Sequence, residues 1–402
     1  MSEAAALRAR EQRFPLGAAV GLLELDQDAH AALARLRRLE PVSWVTSLDG
    51  WLVTGYDAAV RVMRDSDTFT VQDPRFSTAR VVGTSMLSLD GVQHVRHRAP
   101  FGEPFRPARV LHRFGDEVAT LAEGLVDRLV EDLSSRGEVD LRSALAGPLS
   151  VAVVASVLGL EASDAATVLE WYAVIVDAVS SSTPDRPVPP AARQAMAALT
   201  DRVHAGLVEH SDGSLLASAA ASLSEEEVVA NAAVMMFGGI ETTEGMILNA
   251  VSCALGGEVD PAALVRDPDL VAGVVEESLR MEPAAAVVDR YATRDVEVAD
   301  ATIGRGDLVR VSLTAANRDP AVFADPDVFD PRRGNVRSQL SFAKGPHVCV
   351  AMDLARLEAR VALRTLAVRV PDLRLARPAE PRGLVFRKPP SMWVRRSVVT
   401  ST

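Results

Sequence analysis

Apolar residues recur with a helical period over most of this chain, which predicts that helices form the bulk of it. The clearest stretches are Ala29 to Leu39, Phe114 to Leu133, Leu270 to Met281 and Leu354 to Val368, each rich in Ala, Leu, Val, Arg or Glu. Short β-like runs stand near Val42 to Val53, at Val296 to Val298, at Leu308 to Val311 and from Leu384 to Val394. They lie beside turn residues such as Asp49-Gly50 and Gly304-Arg305-Gly306, and their scatter predicts separate small pieces rather than a central sheet. Breaks fall at the Pro-rich stretch Ser182 to Pro190 and at Asn317 to Ser341, which is crowded with Asp-Pro pairs and arginines. The longest uncharged run, Ser143 to Leu160, carries Pro148, serines and glycines that dilute it, so a buried helix is predicted there and not a membrane span.

Composition adds exclusions. The chain has 402 residues, 48% of them hydrophobic and 24% charged, enough for a large core without disulfides. No repeat, low-complexity tract or long linker marks a boundary, and a single domain over residues 1–402 is expected. A net charge of -11 argues against a general nucleic-acid binder. The two cysteines, Cys253 and Cys349, form neither a disulfide framework nor a repeated zinc pattern, which fits a reducing cytoplasm. Met1 to Arg13 lacks the apolar stretch of a signal peptide, so a cytoplasmic protein without a membrane anchor is expected.

Cys349 stands in the run Phe342-Ala343-Lys344-Gly345-Pro346-His347-Val348-Cys349-Val350-Ala351, directly ahead of the helical stretch Met352 to Arg369. A glycine-containing turn therefore meets a helix N-terminus at the cysteine. Helix-start N–H groups and the positive dipole end stabilise a thiolate there and make it a good iron ligand. Standing alone, Cys349 would be read first as a small buried hydrophobe, the usual fate of a free cysteine. A zinc site with His347 would need further ligands, and none lie nearby in the sequence.

Phe-x-x-Gly-x-His-x-Cys ahead of a helix resembles the haem-binding loop of the cytochrome P-450 family, with Phe342, Gly345, His347 and Cys349 at the matching positions. The family usually has glycine where this chain has Ala343 and Ala351, which bears on the spacing between the helix and the haem. Glu277-Ser278-Leu279-Arg280, by itself an ordinary ion pair on a solvated helix face, matches the family's Glu-x-x-Arg. The resemblance makes it part of a buried triad with Arg333, from Phe329-Asp330-Pro331-Arg332-Arg333.

A second landmark is Ser224-Glu225-Glu226-Glu227, a capping-box start to a helix running through Val234 and Phe237 toward Cys253. Inside it, Gly238-Gly239-Ile240-Glu241-Thr242-Thr243 breaks local rules, since each glycine costs about 1 kcal/mol in a helix interior. Such a break points to function or to close helix packing. The segment resembles the family's oxygen-activating motif, which implies that the glycines make room for dioxygen and that Thr242 and Glu241 are the alcohol and acid that supply protons to it.

The resemblance implies a mainly α fold with small β-sheets, holding haem b between the long central helix and the cysteine loop with its helix. It implies Cys349 as the iron ligand, His94, Arg98, Arg290 and His347 as partners of the propionates, and Gly238 and Phe342 as further haem neighbours. It also implies a substrate pocket lined by Val234, Phe237, Ala286, Val287 and parts of Phe69 to Leu87, mainly apolar residues that favour a small hydrophobic metabolite. The expected activity is that of a haem-thiolate monooxygenase in secondary metabolism. No Gly-x-Gly-x-x-Gly follows a strand, so ferredoxin and ferredoxin reductase are the expected electron donors. Arg106, Arg109, Arg332, Arg333, Arg337 and Lys344 would steer the donor. The alternatives are desaturation, oxidative coupling or peroxygenase chemistry on the same fold, or a non-catalytic haem sensor or carrier.

Overall fold

The computed structural model describes residues 3–159, 165–180, 187–209, 215–256 and 259–397. Helices predominate, and the chain divides into two compact units. The first comprises Met1–Val71, Gly273–Cys349 and Glu380–Pro390; the second comprises Gln72–Ala272, Val350–Ala379 and Ser391–Thr402.

The first unit is built on one five-stranded sheet. Its spatial order is Val42–Val45, Gly50–Val53, Leu308–Ser312, Val287–Ala292 and Phe69–Thr70. The first two strands form a hairpin that sets Val42 opposite Val53 and Trp44 opposite Trp51, with all eight residues buried. Asp49 takes a left-handed φ of 48° at the turn, a conformation that short polar side chains tolerate. Gly50–Val53 then runs parallel to Leu308–Ser312, which pairs antiparallel with Val287–Ala292. This corrects the expectation of scattered pieces: the runs near Val42 and Leu308 belong to one sheet. They pair directly, and Val287–Ala292, whose central Asp289 and Arg290 hide its strand character in the sequence, extends the sheet on the other side of Leu308–Ser312. Between Leu384 and Val394 the first unit has only isolated bridges, at Phe386 and Lys388, and the regular strand near the terminus is Trp393–Arg396 of the second unit.

The second unit is helical. Its central helix, Glu225–Leu255, opens on a complete capping box between Ser224 and Glu227. It packs against Gly147–Val157 and against Met352–Arg369, which in turn packs on the 30-residue helix Pro107–Arg136. The helix Gly147–Val157 carries most of the uncharged run and is largely buried among its neighbours, because Ala and Val side chains let helices approach closely. A three-stranded sheet of Glu138–Asp140, Trp393–Arg396 and Leu373–Leu375 completes the unit. The Pro-rich break lies largely outside the described residues, and a helix begins at Pro190. Among the described residues no helix is long and apolar enough to cross a membrane.

Candidate active site

In the first unit the cysteine loop is held by its own backbone. The N–H of Cys349 donates to the carbonyl of Phe342 at 2.9 Å, and Gly345–His347 forms a single 3-10 turn between them. Gly345 has a φ of 76°, and a Cβ there would lie 2.4 Å from the carbonyl oxygen of Met63, at the end of helix Tyr56–Arg64. Only glycine allows that approach. Ala343 also takes a positive φ, 59°, and its methyl is buried in the core that contains Met63 and Leu340. Ala351 has φ -102°, so its backbone does not require glycine. Cys349, His347 and Phe342 are all half-buried.

The triad residues meet in the same unit. Arg280 donates from Nε to Glu277 Oε2 at 2.8 Å and from Nη2 to Oε1 at 2.7 Å, with both side chains fully buried. The remaining N–H groups of Arg280 reach the carbonyls of Asn317, Pro326 and Val328. Arg333 donates from Nε to Glu277 at 2.9 Å and its side chain is 8% exposed. Arg333 therefore does not belong with the solvent-facing cations expected to steer a partner: its guanidinium is used up on Glu277 and on the carbonyls of Ala324, Asp325 and Val328.

Arg290 is buried on the strand Val287–Ala292 and donates to the carbonyl of Asp289 at 2.7 Å. The Asp289 carboxylate is engaged by Arg310, whose Nε and Nη2 each lie 2.7 Å from it. Ala286, just before the strand, is tied to Val385 and Leu313 through its backbone. Ala286 and Val287 border a hollow of this unit that also includes Leu33, Leu52, Leu384 and Thr314.

In the second unit His94 is buried and Arg98 half-buried, one turn apart on the helix Gly91–Gly102. On the central helix Val234 and Phe237 are buried, whereas Gly238 is exposed and Thr242 half-buried. The Thr242 hydroxyl donates to the Gly238 carbonyl at 2.6 Å. The adjacent glycines differ in surroundings. A Cβ at Gly238 would meet nothing within 4 Å, while one at Gly239 would lie 2.6 Å from Cγ2 of Val154. Close packing against Gly147–Val157 explains the second glycine, whereas no neighbour among the described residues requires the first.

Glu241 is 8% exposed and accepts a hydrogen bond from the hydroxyl of Tyr172, which is itself buried on the helix Ala165–Ser180. One turn further, Glu244 is buried and accepts from Nε of Arg142. Burial pushes the Arg142 pKa down, but Glu244 and then Glu241 outweigh it and the net shift is upward. Neither Tyr172 nor Arg142 was legible as a site residue, because each is distant in sequence from its carboxylate and becomes its partner only through helix packing.

The profile of the family described as Cytochrome P-450 matches residues 263–369, a span that includes all three triad residues and the cysteine loop. The chain is 34% identical over 388 residues to Cytochrome P-450 107B1 of Saccharopolyspora erythraea, covering 90% of this chain and 92% of that one. The chain belongs to the cytochrome P-450 family.

This P-450 is also 33% identical to Cytochrome P-450 monooxygenase PikC of Streptomyces venezuelae, over 87% of this chain and 85% of that one. A crystal structure of P-450BioI in complex with hexadec-9Z-enoic acid ligated acyl carrier protein superposes with a TM-score of 0.82 at 29% identity, covering 92% of this chain and 98% of that one. The protein is a cytochrome P-450 monooxygenase, and the cofactor of its family is haem b. The residues present fit that group. The first unit offers a half-buried thiol on a constrained turn and a buried guanidinium, and the second offers a buried imidazole and open space beside Gly238. Sulfur for iron and cationic donors for propionates are the chemistry haem needs.

Proposed function

We propose that this P-450 takes electrons from a ferredoxin-type donor and hydroxylates a small, largely apolar metabolite, with residues 1–402 acting as one catalytic domain. The observation that carries the reading is the opening in the central helix. In a stretch whose other residues are buried or half-buried, Gly238 is exposed, a Cβ there would meet nothing within 4 Å, and the Thr242 hydroxyl stands one turn away on its carbonyl.

When bound, haem supplies an iron centre at which one oxygen atom of dioxygen is reduced to water and the other is inserted into the substrate. Cys349 is the proposed iron ligand. His94, Arg98, Arg290 and His347 would hold the propionates, which are costly to bury uncompensated, and Phe342 and Gly238 would be further neighbours of the haem. Thr242 would hold a proton on its Oγ1, available once its bond to the Gly238 carbonyl is released, and Glu241 would resupply that proton through water. Tyr172 holds the Glu241 carboxylate. The metabolite's apolar character is supported by Val234, Phe237, Ala286 and Val287, and by the fatty acyl group bound in the structure of P-450BioI. An acidic donor is supported by exposed cations: Arg332 and Arg337 in the first unit, and Arg106 and Arg109 in the second.

The test is spectroscopic. The haem-loaded protein is reduced, carbon monoxide is added, and the Soret band is recorded. A strongly red-shifted band is expected from thiolate ligation. A band typical of a histidine ligand, or failure to bind haem, overturns the assignment of Cys349. Substrate-dependent consumption of reduced ferredoxin then separates an oxygenase from a haem carrier.

A further inference from the structure

Away from Thr242, the residues Asn231, His97 and Glu227 of the second unit form a connected hydrogen-bond network centred on Asn231. This residue lies on the central helix about three turns ahead of Thr242 and has no solvent exposure. Its Oδ1 accepts the backbone N–H of Met86 at 2.9 Å. Its Nδ2 donates to the carbonyl of Glu227 at 2.7 Å and to Nδ1 of His97 at 3.0 Å.

The Met86 bond decides which end of the amide is oxygen, and so which His97 nitrogen carries the proton. Because Nδ1 accepts, the proton sits on Nε2, which donates to Glu227 Oε1 at 3.2 Å. Burial pushes the His97 pKa down, favouring this neutral form, although Glu227 opposes it. Glu227 is held in turn by Arg96 and by the Ser224 N–H; the Arg96 hydrogen bond is the chief reason its pKa falls to about 2.

The free end of this network is the turn that carries Met86. Ser85 and Ser88 close it, with the Ser88 N–H on the Ser85 carbonyl at 3.0 Å and the Ser85 N–H on Ser88 Oγ at 3.1 Å. Just ahead of it, Gly83 turns with φ 90°, and a Cβ there would lie 3.6 Å from that of Ala230 on the central helix. Met86 is 5% exposed. The turn is therefore pinned to the central helix by one buried amide, whose own orientation is set by His97 and Glu227.

We propose that Asn231 is a positioning residue for substrate specificity: through Met86 it sets where the turn Ser85–Leu89 stands, and thereby one wall of the substrate pocket. This rests on the reading that Phe69 to Leu87 borders the substrate. An apolar side chain at Asn231 leaves the Met86 N–H and His97 Nδ1 without buried partners, and the turn must move to solvate the amide.

The test uses hydrogen exchange of the peptide spanning Gly83–Leu89 in the haem-loaded protein, together with Soret titrations by imidazole and by a bulky azole. Asn231→Leu is expected to speed exchange in that peptide about tenfold, the loss of one local closing interaction, while peptides of Met352–Arg369 keep their rates. It is also expected to change the ratio of the two dissociation constants several-fold. Asn231→Asp keeps an acceptor for Met86 but has no donor for the Glu227 carbonyl or His97 Nδ1, so both readouts should fall between those of Asn231→Leu and the parent. Unchanged exchange in Asn231→Leu overturns the latch. Faster exchange with an unchanged ligand ratio overturns the specificity role. If Asn231→Leu does not fold, His97→Leu must quicken the same peptide, and unchanged exchange there overturns the proposal. The exchange readout does not depend on haem, so failure of the haem-site reading is distinguished from failure of the latch.

Discussion

The hydroxyl of Thr242 bonds back to the carbonyl of Gly238, 2.6 Å away and one turn earlier on the same helix. Back-bonding of this kind competes with the helical ladder and loosens it locally. It parks the proposed proton donor on the exposed glycine, from which a rotation about χ1 would free it. Thr242→Ala is therefore expected to bind haem and carbon monoxide normally while product formed per electron falls and peroxide rises. Thr242→Ser should retain coupling. Equal coupling in all three proteins would remove Thr242 from the proton route.

The neighbouring glycines should respond oppositely to alanine. In the haem-free protein Gly238→Ala meets nothing within 4 Å and gains helix propensity, a stabilisation of up to about 1 kcal/mol. Gly239→Ala drives a methyl against stiff, β-branched Val154 and is expected to cost about 1–3 kcal/mol. Denaturant midpoints of the two variants check this, and similar midpoints would contradict the packing role of Gly239.

Gly345→Ala should damage the cysteine loop. The added methyl would meet the Met63 carbonyl at 2.4 Å, on a backbone with φ 76° that alanine disfavours. The loop must shift, and with it the sulfur of Cys349. Reduced haem retention and loss of the red-shifted carbon monoxide band are expected, measured as haem per chain and by difference spectroscopy.

Arg280 uses all five of its N–H groups in full burial. Arg280→Leu leaves Glu277 short of its main counter-charge and exposes three carbonyls to loss of their donors, an expected cost of about 3–5 kcal/mol. Arg280→Lys restores charge but offers only three donors and cannot reproduce the fork. It should recover a minor part of that stability in urea denaturation.

Glu358, on the helix after the cysteine, is 3% exposed, and its Oε2 has no hydrogen-bond partner among the described residues. Burial alone raises its pKa well above the ordinary value. A raised folded pKa means that folding takes up a proton. The contribution to stability is complete below the unfolded pKa and is lost as pH climbs toward the folded one, at about 1.4 kcal/mol per pH unit within that window. Glu358→Gln cannot titrate, so its stability advantage over the parent should grow from about pH 5 upward. A constant difference across that range would show that Glu358 is charged in the fold.

Local order was legible in the residues alone. The helix Ala29–Leu39 begins and ends where its apolar period does, Met352–Arg369 lies within two residues of the period Leu354 to Val368, and Ser224 with Glu227 marks the start of the central helix because a capping box closes within four residues. Glu277 and Arg280 share a helix face by their spacing, and the order Phe342, Gly345, His347, Cys349 carries the family's loop. Tertiary structure decided the rest. It joined Gly50–Val53 to Leu308–Ser312 in one sheet, separated the roles of Gly238 and Gly239, gave Glu241 to Tyr172, and tied Asn231 to Met86. Periodicity and caps are short-range signals written within a turn or two of helix. Which distant group satisfies a buried amide, carboxylate or strand edge depends on how the chain returns on itself, and that is set by the packing of the whole core.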